Sequence, residues 1–586
     1  MTSAASNAVS TVSAVSNLVN GTVNNLKNNS DTKNSLKIIP LGGLGEIGLN
    51  MMIYETENDI IIVDCGLMFP EDYMLGIDMV IPDFNYLYSK KEKIRGLLLT
   101  HGHEDHIGAI PYLLREFNIP IFGTPFTLGI LEEKLKEHDL PTKFYLFTVK
   151  TGGTITLGDF SVEFISVAHS IIDGACLAIR TPFGVIIHTG DFKLDQSLEQ
   201  SQITNINRLA YYGDEGVLAL LSDSTNVEKD GFTISEKDIK KTFRNVFRDH
   251  KGRIIIALFA SNIHRTSQLL ELAREFNKKV LMSGRSLITY TRIAKRLGYL
   301  DYYEDILIDE EALPYFEPEE MLILTTGTQG EPMSALSRIS VGDHKFIKIK
   351  NNDLVILSSK FIPGNEKAIT KIINNLYKKG AEVLYEKISA IHVSGHASKE
   401  ELKLMMNITK PQYFIPIHGE LRHLYQHKKV AIDMGISSAN IFTIENGDVL
   451  NLDACNCLTK GNKVYSGRIF VDGKGIGDVE TGTLKERAHL SENGMIIIVL
   501  VVDSKTANII SGPEITSKGF VFEDYFKSLY KDLNGQVLNI IRLNQEEKGE
   551  NIDWVKVKDE IRRVMKKYLN KTIDRQPFIF PMIIEI

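Results

Sequence analysis

The sequence predicts an α/β protein of several domains, and three observations carry that prediction. The chain has 586 residues, too long for one ordinary domain and suited to roughly two to four. Its composition, 43% hydrophobic and 24% charged, is that of a globular chain that can bury a large core. The rhythm of its apolar segments also changes along the chain. Strands dominate from residue 36 to about 235, helices and strands alternate from about 236 to 389, and a separate block of strands and helix fills 466–586.

Residues 1–35 are rich in Ser, Asn, Thr, Ala and Val, lack aromatics, and have neither the basic start and apolar core of a signal peptide nor the arginines of a transit peptide. They read as a disordered tail. Ordered structure begins near Leu36 with LKIIPLGG, LNMMIYE and DIIIVDCG, read as strand, glycine turn, strand, strand. The strand IRGLLLT ends at Thr100, and IGAIPYLLREF (107–117) has helical spacing of apolar residues. IPIFGT, a helix around 126–138 and short strands through ITLGDFSVEFISVAH and GVIIHTGDF complete the first block. From 236 the order EKDIKKTFRNVFRDH, GRIIIALFA, SQLLELAREFN, KVLMSG is that of a parallel doubly wound unit. A linker is expected over 447–465. Beyond it MIIIVLVVD and VKVKDEIRRVMKKYLN mark a small α/β domain. There is no internal repeat.

The net charge of −7 excludes a uniformly basic, sequence-blind nucleic-acid coat but not a local basic groove. Four cysteines exclude a disulfide scaffold. Cys455 and Cys457 form a CxC without a nearby Cys/His pair, which reads as reduced thiols in a cytoplasmic protein rather than a zinc knuckle. No segment reaches the ~18 apolar residues of a membrane span. Gly43, Gly45 and Gly48 spell GxGxxG with Asp64 downstream, but another strand follows where a dinucleotide site needs a helix. The glycines therefore read as a tight turn.

The chemistry lies in THGHEDHIGA (100–109). His101, His103, Asp105 and His106 fall within six residues at a strand-to-helix junction. Imidazole with carboxylate suits Zn or Mn. The absence of Cys argues for a catalytic site with open positions, and an Asp among several His supports two metals. His169, Asp191 and His418 each follow an apolar strand and repeat the pattern of a strand ending in a ligand. His188 precedes Asp191 in HTGD and reads as orienting. Ser398 and Glu401 form S-x-x-E, a capping box opening the helix KEELKLMMN, and that helix start with the Ser394 and Ser398 hydroxyls reads as an anion site.

HGHEDH, His169, HTGD and PIHGE resemble the metallo-β-lactamase fold of the β-CASP group. SDST (222–225), FASNIHR (259–265), TTGTQGEPMSALSR (325–338), IPGNE (362–366), HVSGHAS (392–398), VDGKGIGDV (471–479) and GPEITSKGF (512–519) are similar to the ribonuclease J family, in order over roughly 36–586. The resemblance implies an αββα sandwich at 36–235 and 390–446, an inserted β-CASP domain at 236–389, and a C-terminal dimerisation domain at 466–586. It implies one metal on His101, His103 and His169, a second on Asp105, His106 and His418, and Asp191 bridging them. Zinc is the expected metal, with Mn or Mg as alternatives. It gives Asp223 and His396 acid/base roles, and assigns an RNA phosphate to His392, Val393, Ser394, Gly395, His396, Ala397 and Ser398. Asp223 reads equally well as a support behind the metals, and His392 equally well as a core histidine.

The implied activity is 5′-to-3′ exonucleolysis of single-stranded RNA with 5′-monophosphate ends, with endonucleolytic cleavage besides, in RNA maturation, rRNA processing and mRNA decay. A homodimer or homotetramer, in company with other RNA-degradation proteins, is expected. Two weaker assignments follow. His264 and Arg265 would contact the RNA backbone, the alternative being a structural link at the domain junction. Asp78 and Asp472 would share a structural cation such as Ca²⁺, the alternative being ordinary salt-bridging carboxylates. The rival functions are another hydrolase of the same fold, such as a DNA nuclease, and a non-catalytic scaffold.

Overall fold

The computed structural model describes residues 35–586, apart from 139, 141–142, 199–201, 302, 332, 362–364, 387–390, 392, 522 and 550–551. The tail, His392 and the boundary expected at 389/390 lie outside the described residues.

Two sheets stack face to face. The first has eight strands in the order Leu458–Lys460, Leu450–Leu452, Leu36–Gly42, Met51–Glu55, Ile60–Val63, Ile94–Leu98, Ile121–Gly123, Leu146–Thr148. The second has six, in the order Tyr413–Ile417, Val217–Asp223, Gly184–His188, Gly174–Thr181, Phe160–Val167, Thr154–Leu157. Alternation along each strand supplies two apolar faces. Ile38, Tyr54, Ile61 and Val63 of the first sheet meet Phe164, Leu177, Leu221 and Ile415 of the second in one buried cluster. The outer face of the first sheet packs on the helices Ile110–Glu116 and Pro125–Glu137. That of the second packs on Ile206–Glu215, Lys399–Thr409 and Leu421–Asp433. Four layers, αββα, result.

A third sheet of five parallel strands, ordered Lys279–Ser283, Met321–Thr325, Ile254–Ala257, Leu354–Leu357, Glu382–Leu384, forms the inserted block. Helices Glu236–Asp249, Ile263–Glu275 and Arg285–Leu297 cover one face, and Ala335–Val341 and Glu366–Lys378 the other. The insertion leaves after Val217–Asp223 and returns before Tyr413–Ile417, two strands that are parallel neighbours with Asp223 opposite Ile417. It therefore departs from the edge of the sandwich where Asp223 and His418 sit.

Residues 447–465 are not a linker. Leu450–Leu452 and Leu458–Lys460 form a hairpin that extends the first sheet through Leu36–Ile38. Strand Arg468–Asp472 then pairs with Met79–Pro82 of the sandwich. These strands are short and interleaved with Asn, Asp, Gly and Lys, so their pairing is set by an available sheet edge rather than by a periodic signal. The helical segment expected over 107–117 is two pieces, Glu104–Ile107 and Ile110–Glu116, with Pro111 in the first turn of the second.

The last block has a sheet ordered Ile509–Lys518, Met495–Val502, Phe578–Glu585. Its helices Glu523–Lys548 and Trp554–Ile573 bury one face of that sheet, the first of them presenting Phe526, Leu529, Leu533, Val537, Ile540 and Ile541 at helical spacing. Helix Thr481–Asn493 joins the block to the sandwich, with Leu484 packed beside Met68, Met74 and Val80 and Arg487 paired to Asp472. Among the described residues no helix is long and apolar enough to cross a membrane.

Candidate metal centre

Each ligand candidate stands where an apolar strand runs out. Strand Ile94–Leu98 delivers the loop bearing His101, and His103 is the N-cap of Glu104–Ile107, so that Asp105 and His106 follow within one turn. His169 follows Phe160–Val167, Asp191 follows Gly184–His188, and His418 follows Tyr413–Ile417 with φ at +55°. The strands are buried and stiff, so the loops are short and their side chains are held.

The seven candidates converge. Ligand atoms of His101, His103, His169 and Asp191 lie within 4.8 Å of one another, as do those of Asp105, His106, Asp191 and His418. Asp191 belongs to both groups. Its Oδ2 is 3.6 Å from His101 Nε2, 3.6 Å from His169 Nε2 and 3.3 Å from His106 Nε2, and its Oδ1 is 3.6 Å from His418 Nε2. A third group adds Asp223 and His396 to Asp191 and His418. His396 Nδ1 is 2.8 Å from Asp223 Oδ2.

The donor set fits divalent cations. Asp191 Oδ1 is buried with no hydrogen-bond partner, a costly state for a carboxylate oxygen unless a cation faces it. Each ligand imidazole also has an oxygen on its outward nitrogen, the arrangement that orients a metal-bound histidine. His101 Nδ1 faces Thr100 Oγ1 at 3.1 Å, and His103 Nε2 faces Ser261 Oγ at 3.1 Å. His106 Nδ1 is 2.7 Å from Asp64 Oδ2, and His169 Nδ1 is 2.7 Å from the Gly395 carbonyl. His418 Nδ1 meets Thr225 Oγ1.

Burial pushes His101 and His169 well below the ordinary imidazole range and His103 down to about 4, so at neutral pH these three offer lone pairs. Burial also opposes protonation of His106 and His418. There, however, carboxylates outweigh it: Asp191, Asp105 and Asp64 hold His106 well above the ordinary range, and Asp191, Asp105 and Asp223 hold His418 at about 9. The proton there does what a cation would do in the same field, and binding a divalent ion displaces it.

The segment expected to bind phosphate is mostly spoken for. Val393 and Ala397 are buried apolar packing. Gly395 gives its carbonyl to His169, and a Cβ there would come within 2.6 Å of that ring. The capping box at Ser398 is present, but the anion at this helix start is the protein's own. The Glu401 carboxylate accepts from the backbone N–H of Ser398 and Thr233, both at 2.8 Å, and of Leu194 at 2.7 Å. The N–H groups of Lys399 and Glu400 go to the carbonyls of Lys229 and Gly231. Ser398 itself is fully buried, so the expected anion site at this helix start is overturned. Ser394 and His396 remain partly exposed.

Arg265 is not an RNA contact. It is fully buried, paired with Glu236 at 2.6 Å, and donates to Ser358 Oγ at 2.7 Å and the Ile391 carbonyl at 3.1 Å, which is the structural link weighed against that role. His264 lies half-buried, with Nε2 2.9 Å from the Gln268 amide, and burial lowers its pKa, so it offers a phosphate no charge at neutral pH. Asp78 and Asp472, expected to share a cation, each have a partner within the protein. Asp78 accepts from the Gly473 N–H at 2.7 Å, Asp472 pairs with Arg487 at 2.6 Å, and among the described residues no ligand cluster includes either. His188 Nδ1 is 2.9 Å from the Tyr54 hydroxyl, inside the sandwich beneath Asp191. Sequence reasoning missed Asp64, Thr100, Thr225 and Ser261. Asp64 had a signal, an acid directly after the apolar strand Ile60–Val63, which pairs with the strand leading to the ligand loop.

Comparison with known proteins identifies four families along the chain. The family model described as "Metallo-beta-lactamase superfamily" matches residues 44–199, "Ribonuclease J, beta-CASP domain" 251–376, "Zn-dependent metallo-hydrolase RNA specificity domain" 380–442 and "Ribonuclease J C-terminal domain" 482–586. The chain is 40% identical to Ribonuclease J of Helicobacter pylori (strain ATCC 700392 / 26695) over 555 residues, 94% of this chain and 80% of that protein. It is 38% identical to Ribonuclease J2 of Bacillus subtilis (strain 168) over 552 residues, 94% of this chain and 99% of that one.

The chain belongs to the ribonuclease J family.

A further ribonuclease J relative, Ribonuclease J 2 of Staphylococcus aureus (strain MRSA252), is 39% identical over 94% of this chain and 98% of its own. The solved structure of a protein of unknown function from Enterococcus faecalis V583 shares the fold alone, with a TM-score of 0.51, 16% identity, and coverage of 72% of this chain and all of that one. The strand ends that gather His101, His169, Asp191 and His418 thus belong to a ribonuclease J sandwich, with the β-CASP domain as its insertion.

Proposed function

We propose that this chain, a metal-dependent ribonuclease of the metallo-β-lactamase fold, degrades single-stranded RNA from 5′-monophosphate ends in the 5′-to-3′ direction and also cleaves internally, in rRNA maturation and mRNA decay. The observation that carries the reading is the sharing of Asp191 by two ligand groups, with the Asp223–His396 pair beside it. Two divalent cations, zinc by the His-rich donor set, would be held by His101, His103 and His169 and by Asp105, His106 and His418, and supply Lewis acidity toward a phosphodiester and toward water. His396 is placed to give the leaving oxygen a proton, with Asp223 holding its ring. Ser394 and His396, the partly exposed polar groups among the described residues of their segment, support the contact to a terminal phosphate. A cytoplasmic location suits four free thiols.

The test is a metal-dependent degradation assay on 5′-monophosphorylated RNA, with products sized over time. The same RNA with a 5′-triphosphate is expected to be degraded more slowly from its end. Equal rates would remove the monophosphate preference. Equal degradation of matched DNA would make the chain a general nuclease, and a protein that binds no metal would be a scaffold.

Self-association belongs to the same proposal. On the C-terminal sheet Met495, Ile497, Val499 and Val501 lie opposite Phe578, Phe580, Met582 and Ile584. All eight point away from the helices that cover the other face, and Phe580, Met582 and Ile584 are 39%, 41% and 42% exposed. A continuous apolar face of this kind suits a second copy of the chain. Phe580→Asp is expected to lower the mass measured by light scattering from a dimer or tetramer to 65.8 kDa. An unchanged oligomer in this variant would move the interface elsewhere.

A further inference from the structure

The segment Ser261–Arg265 of the inserted domain contacts the metal centre in a way that the activity above does not use. Ser261 Oγ lies 3.1 Å from His103 Nε2. The other ring nitrogen of His103, Nδ1, points inward, 3.0 Å from His101 Nε2 and 3.2 Å from His169 Nε2. Nδ1 is therefore the ligand atom and must carry the lone pair, which places the ring proton on Nε2 and makes Ser261 Oγ its acceptor. The outward nitrogens of His101, His106, His169 and His418 find their oxygens on Thr100, Asp64, Gly395 and Thr225, within the sandwich and its loops. Among the described residues His103 differs in being oriented from the inserted domain.

That contact is braced. Ser261 is buried, and Asn262 caps the following helix by accepting from the Arg265 N–H at 2.9 Å. The buried Arg265 joins this helix to Glu236, to Ser358 and to the Ile391 carbonyl, which lies just before the segment bearing His396. The Lys193 ammonium approaches Glu236 at 3.3 Å from the loop that carries Asp191. Ser261 is thus placed by the docking of one domain on the other.

We propose that Ser261 is a positioning residue through which the inserted domain sets the ring of His103, so that full metal affinity at the His101–His103–His169 group depends on that domain being seated. The inference rests on His103 being a ligand, as the proposed function has it. Its test separates the two. Metal-free full-length protein is titrated with Co²⁺ and with Zn²⁺ against a competing chelator, with the Co²⁺ absorption spectrum recorded. A wild-type protein that binds no pair of ions sinks the metal reading itself. With wild type binding two, Ser261→Ala is expected to weaken one ion by about 10- to 100-fold, the range for loss of an outer partner of a metal-bound histidine. The second ion keeps its affinity, the Co²⁺ spectrum changes at the weakened site, the metal-free melting temperature is unchanged, and Ser261→Thr, which retains the hydroxyl, restores binding. Unaltered affinity of both ions in Ser261→Ala overturns the proposal. So does equal weakening by the Ala and Thr variants, or a fall in metal-free melting temperature that accompanies the loss, because the hydroxyl would then be packing rather than orienting.

Discussion

Asp191→Ala is expected to abolish turnover and to strip the protein of its metal pair. The Asp191 carboxylate is the one side chain common to all three ligand groups, and it sits within 3.3–3.6 Å of four of the five ligand imidazoles. It is almost wholly buried and flanked by uncharged His101 and His169, so with Asp105 it supplies the negative charge of the ligand set that would hold two cations in one small space. Losing an outer partner of a ligand costs ~10–100-fold, and a shared ligand must cost more, so turnover should fall by more than about 100-fold. Elemental analysis should show the metal leaving with the activity. Near-normal turnover with Asp191→Ala would mean that the two ligand groups do not act as one centre.

His396→Ala is expected to cut turnover by roughly 10²- to 10⁴-fold, the range for a general acid, while both metals stay bound. The ring is hydrogen-bonded to Asp223 at 2.8 Å and its side chain keeps 21% of its surface toward solvent, so a substrate oxygen can reach it. Burial works against a proton on His396, but Asp223 and Asp191 outweigh burial and raise its pKa above the ordinary imidazole value. The metal-free imidazolium therefore survives to a higher pH than a free histidine would allow, and in the metal-loaded protein an acid role is lost as pH rises through whatever value the cations set. The variant should therefore lose the alkaline fall in rate along with the rate. If elemental analysis shows metal leaving with His396→Ala, then the group Asp191–Asp223–His396–His418 is itself a metal position and His396 is a ligand.

Much of the centre is legible in the sequence because its residues are clustered or repeat one pattern. HGHEDH puts four candidate ligands in six residues, and His169, Asp191 and His418 each follow an apolar strand. The residues that orient them are not legible in the same way. Thr225, Asp64 and Ser261 are ordinary polar residues that only the tertiary structure brings within reach of a ring nitrogen, whereas Thr100 adjoins His101 in the chain. The misreadings have the same origin. Arg265 and the start of helix Lys399–Thr409 each looked ready for phosphate, because a cation and a set of free N–H groups are local features. Whether they are free depends on Glu236 and Glu401, one distant in sequence from Arg265 and the other folded back on its own helix.

The alternation of apolar residues and the spacing of histidines and acids determined, by themselves, that this chain builds sheets whose strand ends carry candidate metal ligands. Those are properties of a residue and its near neighbours. The tertiary structure alone decided which nitrogen of each ring faces inward, which charges are already spent on the protein, and that the hairpin at 450–460 belongs to the sandwich. The physical reason is that a buried polar group is satisfied by whatever partner the packing brings to it, and the partners of His103, His106 and His169 lie tens to hundreds of residues away along the chain.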